Sequence, residues 1–142
     1  MPSRRIILEQ SRLFWNFIAI LFFAEQLLKA GIREVFANSD YTRTWFNGII
    51  GIVHVLNSCT AMDALISIIL LATLLLLALK FKMRNWAICL LIAGVASNTV
   101  DRIVFGGVTD YINVYGNIFN LSDIAIVISS IFLGVRIASE EV

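Results

Sequence analysis

Ala64–Leu79, read ALISIILLATLLLLAL, contains no charged residue. An α-helix needs about 20 mostly apolar residues to cross the roughly 30 Å of hydrocarbon in a bilayer. With Ala61–Asp63 in front of it, this run reaches that length. Three other blocks approach it: Leu13 to Ile32, Asn85 to Val104 and Leu121 to Ile137. None alternates apolar and polar residues as barrel strands do, and in lipid only helices and closed barrels satisfy their own backbone. The reading is an all-α integral membrane protein with four transmembrane helices, at about 13–32, 61–79, 85–104 and 121–137. All four belong to a single domain over 1–142.

Composition agrees. Of 142 residues, 59% are hydrophobic and 15% charged, and the mean hydropathy is +0.87, well outside the range of soluble domains. A net charge of +1 argues against a nucleic-acid partner. Cys59 and Cys89 provide neither a disulfide framework nor a metal-ligand pair. Arg4, Arg5 and Arg12 before the first block imitate a secretory signal. The apolar stretch, however, continues past Glu25 into LLKAGI without a small-x-small cleavage site, so an uncleaved first span is expected.

Basic residues sort the connections. Arg4, Arg5 and Arg12 precede span one, while Lys80, Lys82 and Arg84 fill the link between spans two and three. The positive-inside rule places both on the cytoplasmic side, and the C-terminus with Arg136 returns there. Segments 33–60 and 105–120 then face outward. The first is rich in β-formers: YTRTWF at 41–46, then Asn47-Gly48, then IIGIVHVL at 49–56. Asn-Gly between such runs signals a hairpin, because both residues tolerate the positive φ of a type I′ turn. A small β-rich element over about 33–60 on the outer face is expected. His54, the one histidine, lies within it, with no serine or cysteine beside it in any motif. An interfacial polar contact is expected for it.

Acidic residues within apolar spans are costly and mark function. At about 1.5 Å per residue, Glu25 lies about 20 Å from Arg12, Asp123 about 20 Å from Arg136 and Asp101 about 25 Å from Arg84. All three reach the outer half of the bilayer. Asn98, Asp101 and Arg102 share one face of span three, so that Arg102 is available to pair with Asp101 or a neighbouring carboxylate. Gly106-Gly107 forms a turn that delivers Asp110, and Asp123 opens span four behind Asn120 or Ser122 as cap. Two carboxylates that converge share a proton, and such a pair activates water with one member and protonates a leaving amine with the other. On the residues alone, hydrolysis, a proton relay and a polar clamp between helices all stand open. A relay through the membrane would lack acidic steps in the inner halves of the spans.

The run from Gly94 to Ile126 resembles the lipoprotein signal peptidase family, also called signal peptidase II. Asn98-Thr99-Val100-Asp101-Arg102 followed by Gly106-Gly107-Val108-Thr109-Asp110-Tyr111 looks like N-x-x-D-R-x-x-x-G-x-V-x-D-[FY]. Phe119-Asn120-Leu121-Ser122-Asp123-Ile124-Ala125-Ile126 looks like F-N-x-A-D-x-x-I. The resemblance implies an intramembrane aspartyl endopeptidase, with Asp110 and Asp123 catalytic and Asn98, Asp101, Arg102 and Asn120 positioning them. Its implied substrate is a diacylglyceryl-modified prolipoprotein, cut before the lipidated cysteine at the outer leaflet of the bacterial inner membrane. No metal or cofactor is implied. Glu25-Gln26-Leu27-Leu28-Lys29 keeps the acid, Gln and Lys of the family's D-Q-x-T-K, which makes Glu25 and Lys29 substrate-positioning or dyad-supporting residues. Asn47-Gly48-Ile49-Ile50-Gly51 departs from N-x-G-A-A-F. The same resemblance therefore admits a non-catalytic paralogue that binds lipoproteins without cutting them.

Overall fold

Long apolar runs form helices wherever lipid denies the backbone other partners. The computed structural model describes residues 4–36, 43–45, 49–82 and 85–140. It contains α1 (Arg4–Phe36), β1 (Arg43–Trp45), β2 (Ile50–Ser58), α2 (Ala61–Lys80), α3 (Trp86–Phe105), β3 (Gly107–Val114), β4 (Asn117–Phe119) and α4 (Leu121–Glu140). All four helices are long and apolar enough to cross a membrane, so the chain is a multi-pass membrane protein. At 33 residues, α1 is about 50 Å long and exceeds the hydrocarbon thickness.

Local sequence sets the helix ends. Thr60 caps α2 in a reciprocal box: its Oγ1 accepts from the Asp63 amide at 3.3 Å, and the Asp63 carboxylate accepts from the Thr60 amide at 2.8 Å. Asn85 caps α3 through Ile88 N at 2.9 Å. Gly106 ends α3 at φ 69°, a left-handed position that favours glycine.

The central helix is α3. Of its 20 residues, 11 are buried, whereas α2 buries only Ser67 and Ala78. In the half of the bundle away from the sheet, Phe14 and Ile18 of α1 pack with Ala78 of α2 and with Ile88, Cys89, Ile92 and Ala93 of α3. The opposite side of α3 receives α4 at close range. A Cβ on Gly94 would lie 2.9 Å from the Ser122 carbonyl oxygen and 3.0 Å from Ile126 Cγ1, and glycine permits this approach. The outward faces carry exposed Leu13, Leu27, Leu76, Ile131 and Val135, as lipid contact requires.

The four strands form one antiparallel sheet in the order β1-β2-β3-β4, larger than the element expected over 33–60. The β1/β2 pairing sets Trp45 opposite Ile50; Asn47-Gly48 lies outside the described residues. A two-residue hairpin with positive φ at both positions joins β3 to β4, at Tyr115 (φ 52°) and Gly116 (φ 81°). The glycine turn ahead of Asp110 is present at Gly106, and Asp110 itself stands on β3, a strand the sequence reading did not give. A bulge in β2 falls between the Ile52–Ile112 and Val55–Asp110 pairs, which leaves Val53 and His54 opposite Tyr111. His54 Nε2 is buried and has no hydrogen-bond partner among the described residues.

Candidate active site

The C-terminal ends of α1 and α3, the N-terminal ends of α2 and α4, and the sheet all meet at one end of the bundle. The Lys80–Lys82 link lies at the other. Along α1, Glu25, Lys29 and Arg33 recur every fourth residue and so share a face. That face meets Asn98 and Asp101 of α3 and Thr109 and Tyr111 of β3.

Asp101 is fully buried. Its Oδ2 lies 3.1 Å from Lys29 Nζ and accepts from Thr109 N at 3.0 Å. Its Oδ1 accepts from Gln26 Nε2 at 3.2 Å and lies 3.6 Å from Arg33 Nη1. Asp101 thus pairs with α1 and not with Arg102, one of the two pairings the sequence left open for that guanidinium. Arg102 instead donates to its own helix at the Asn98 carbonyl, 3.3 Å away. The pairing follows from helix geometry: the face that carries Asp101 turns into the bundle, and Arg102, one residue on, is rotated by about 100°. Arg33 also donates to Thr109 Oγ1 at 2.7 Å and lies 4.0 Å from the Phe105 ring centroid.

Asn120 joins the two candidate catalytic acids. Its Nδ2 donates to Asp110 Oδ1 at 2.6 Å, and its Oδ1 accepts from the Asp123 amide at 3.0 Å. The Asp123 carboxylate in turn accepts from the Asn120 amide at 3.1 Å. The last two bonds form a capping box on α4, so the residue that starts the helix also holds Asp110. Asn120, not Ser122, is the cap. Asn98 Nδ2 donates to Asp123 Oδ1 at 2.8 Å. From β2, Asn57 reaches Asp110 Oδ2 at 3.5 Å, two residues along from Val55, which stands directly across from Asp110.

Glu25 braces the other side. Its carboxylate accepts from the Tyr111 hydroxyl at 2.9 Å and from the Ser122 amide at 3.3 Å. The Tyr111 oxygen also accepts from Leu121 N at 3.2 Å. One carboxylate on α1 thereby holds the neighbours of both Asp110 and Asp123, while its distance to Lys29 is a longer 4.0 Å. A cavity of about 290 Å³ between α1, α3 and α4 borders Glu25 and Ser122 and is otherwise apolar; neither Asp110 nor Asp123 lines it.

Burial pushes the Asp110 carboxyl above the ordinary carboxylate range. The Asn120 amide opposes this, the charge of Asp123 adds to the rise, and Asn57 and Lys29 oppose it weakly. Burial also raises Tyr111 well above an ordinary phenol, with the Leu121 amide opposing and Glu25 reinforcing. Among the described residues, no group of three or more His, Cys, Asp or Glu side chains is arranged to hold a metal.

Seven of the eight residues singled out in the sequence thus form one hydrogen-bonded cluster, with Arg102 at its margin. Sequence reasoning passed over Arg33, Thr109, Ser97, Asn57 and the hydroxyl of Tyr111. Arg33 was legible as the third member of a four-residue repeat of charge on α1. Asn57 was not, because its position depends on strand register.

The family model of signal peptidase (SPase) II matches residues 17–139. The chain is 40% identical over 53 residues to the lipoprotein signal peptidase of Solibacter usitatus, covering 34% of this chain and 32% of the relative. It is 35% identical over 79 residues to that of Acinetobacter baumannii, covering 52% and 45%. These matches span less than half the length of either relative. Two solved structures described as bacterial membrane enzymes share the fold. One has a TM-score of 0.74 at 21% identity, covering 91% of this chain and 89% of the other. The second has a TM-score of 0.70 at 22% identity, covering 88% and 92%. With most of its length matched by the family model and its four helices and sheet shared with membrane enzymes, the chain belongs to the signal peptidase II family of membrane proteases.

Proposed function

We propose that this chain is an intramembrane aspartyl endopeptidase that removes the signal peptide from diacylglyceryl-modified prolipoproteins, with Asp110 and Asp123 as its catalytic pair. The observation that carries the reading is Asn120, whose one side chain bonds both Asp110 and the backbone of Asp123. The surrounding charge supports it. Lys29 and Arg33 face Asp101, while Asp110 and Asp123 have amide partners only among the described residues. A proton shared by that pair lowers the negative charge they would otherwise bury, which burial favours.

One member of the pair carries the shared proton. The ionised member removes a proton from water, and the water oxygen attacks the scissile carbonyl carbon while the protonated member gives its proton to the carbonyl oxygen. When the tetrahedral species collapses, one of its hydroxyl protons returns to the pair, the C–N bond breaks and the amine of the lipidated cysteine leaves with a proton from the pair. The products are a signal-peptide carboxylate and a lipoprotein with a free N-terminal amine. The basic Lys80–Lys82 link lies at the opposite end of the bundle from the pair. The positive-inside rule then puts both termini in the cytoplasm and the active site toward the outer leaflet of the inner membrane, where the diacylglyceryl chains are anchored.

The test is cleavage of a diacylglyceryl-modified prolipoprotein by the protein purified into lipid, read as a gel shift. The parent is expected to cut, and neither Asp110→Asn nor Asp123→Asn is. A parent that binds the prolipoprotein without cutting it would reject the peptidase and leave a binding paralogue. Activity in either Asn variant would reject the aspartyl pair.

A further inference from the structure

The sequence left Lys29 with two roles, positioning the substrate or supporting the pair, and its surroundings decide between them. The ammonium is fully buried and carries three N–H donors. Three acceptors stand around it: Asn98 Oδ1 at 2.8 Å, Asp101 Oδ2 at 3.1 Å and Ser97 Oγ at 3.3 Å. Every proton is matched, and none remains to meet a substrate.

The shortest of the three bonds has a consequence at the site. Because an ammonium can only donate, the atom of the Asn98 amide that faces Lys29 must be the oxygen. The amide nitrogen is then turned the other way, toward Asp123 Oδ1 at 2.8 Å. This orientation follows from the chemistry of the donor and needs no choice between amide flips. Without Lys29, the Asn98 amide is oriented by Asp123 alone.

We propose that Lys29 is a positioning residue that acts on Asp123 through Asn98, holding the amide so that its N–H points at the catalytic carboxylate. The inference rests on the aspartyl-pair reading above and adds a residue that does not touch the substrate. Asp101 does not depend on Lys29 alone, since it keeps Arg33, Gln26 and the Thr109 amide. Replacing Lys29 therefore removes the orienting donor without stranding a buried charge.

The test uses the full-length protein in lipid with a diacylglyceryl-modified prolipoprotein. It compares Lys29→Met, Asn98→Ala, the double variant of both, and Lys29→Met combined with Asp101→Asn. A hydrogen bond to a charged group contributes about 1.5–3 kcal/mol, so Lys29→Met should lower kcat about 10–100-fold and leave KM unchanged. Adding Asn98→Ala should lower kcat no further. The combined Lys29→Met/Asp101→Asn variant, which balances the buried charge even where Lys29→Met folds poorly, should remain as slow as Lys29→Met. Restored activity there would mean that Lys29 only neutralises Asp101, and additive losses would mean that it acts independently of Asn98; either result overturns the proposal. The side-chain amide resonance of Asn98, assigned by its loss in Asn98→Ala, gives a readout that does not depend on cleavage. It should exchange slowly in the parent and quickly in Lys29→Met, and equal exchange would reject the orienting bond even if the parent cuts nothing.

Discussion

Replacing Asn120 separates catalysis from helix capping, because its two side-chain atoms do different work. The Nδ2 donor to Asp110, at 2.6 Å, is a bond to a group of the active pair, and such bonds contribute about 1.5–3 kcal/mol. The Oδ1 acceptor from the Asp123 amide, at 3.0 Å, is an N-cap, whose loss to alanine costs about 0.5–2 kcal/mol. Serine keeps a capping oxygen but has no N–H to reach Asp110; alanine keeps neither. Asn120→Ser and Asn120→Ala should therefore lose cleavage to a similar extent, about 10–100-fold in kcat. Asn120→Ala alone should also lose about 1 kcal/mol of stability. The assays are prolipoprotein cleavage and denaturant unfolding of the same preparations. In both variants the alkaline limb of the pH–rate profile should move upward, because the Asn120 amide is the largest influence holding the Asp110 carboxyl down. Parent-like cleavage by Asn120→Ser would refute the bridging role, and equal stability of the two variants would refute the cap.

Other outcomes follow from the same geometry. Burial raises Asp110 in the folded state above its unfolded value, so the folded protein binds the proton more tightly. The ionised form then costs stability as pH rises from the ordinary carboxylate range through the raised value. Asp110→Asn should accordingly unfold at a higher temperature than the parent at neutral pH, with the gap closing on acidification; a gap independent of pH would contradict this. Gly94→Ala would place a methyl 2.9 Å from the Ser122 carbonyl oxygen, forcing α4 away at a cost of about 1–3 kcal/mol. Both unfolding stability and cleavage should fall, since Ser122 precedes Asp123. Tyr111→Phe removes the hydroxyl shared by Glu25 and Leu121 N, leaving one oxygen of the buried Glu25 carboxylate without that partner. A loss of about 1–3 kcal/mol is expected in denaturant unfolding, with a smaller fall in kcat than for Asn120→Ser.

What the sequence determined by itself rests on local physics. The length and hydropathy of Ala64–Leu79 and its three companions require helices, because lipid offers the backbone no other partner. A fixed rise per residue brought Glu25, Asp101 and Asp123 to one level of the bundle before any contact was known. The late motifs supplied Asn98, Asp101, Asn120 and the two candidate acids. Periodicity along one helix is a short-range property, and a single chain displays it openly.

Only the tertiary structure decided which groups meet. Arg102 was one candidate partner for Asp101, yet the burial of the α3 face gave that carboxylate to Lys29 and Arg33 of α1. Asp110 reaches its place on a strand whose register is shifted by the bulge at Val53 and His54. Asn57 lies near it only because of that register. Each of these contacts joins residues far apart in the chain. A one-residue slip in strand pairing turns side chains to the opposite face, and a rotation of one helical residue exchanges an interior position for an exterior one. Residue types and spacings indicate which faces exist. Packing α1, α3, β3 and α4 against one another selects the contacts between those faces, because buried charge and unmatched hydrogen-bonding groups are too costly to leave without partners.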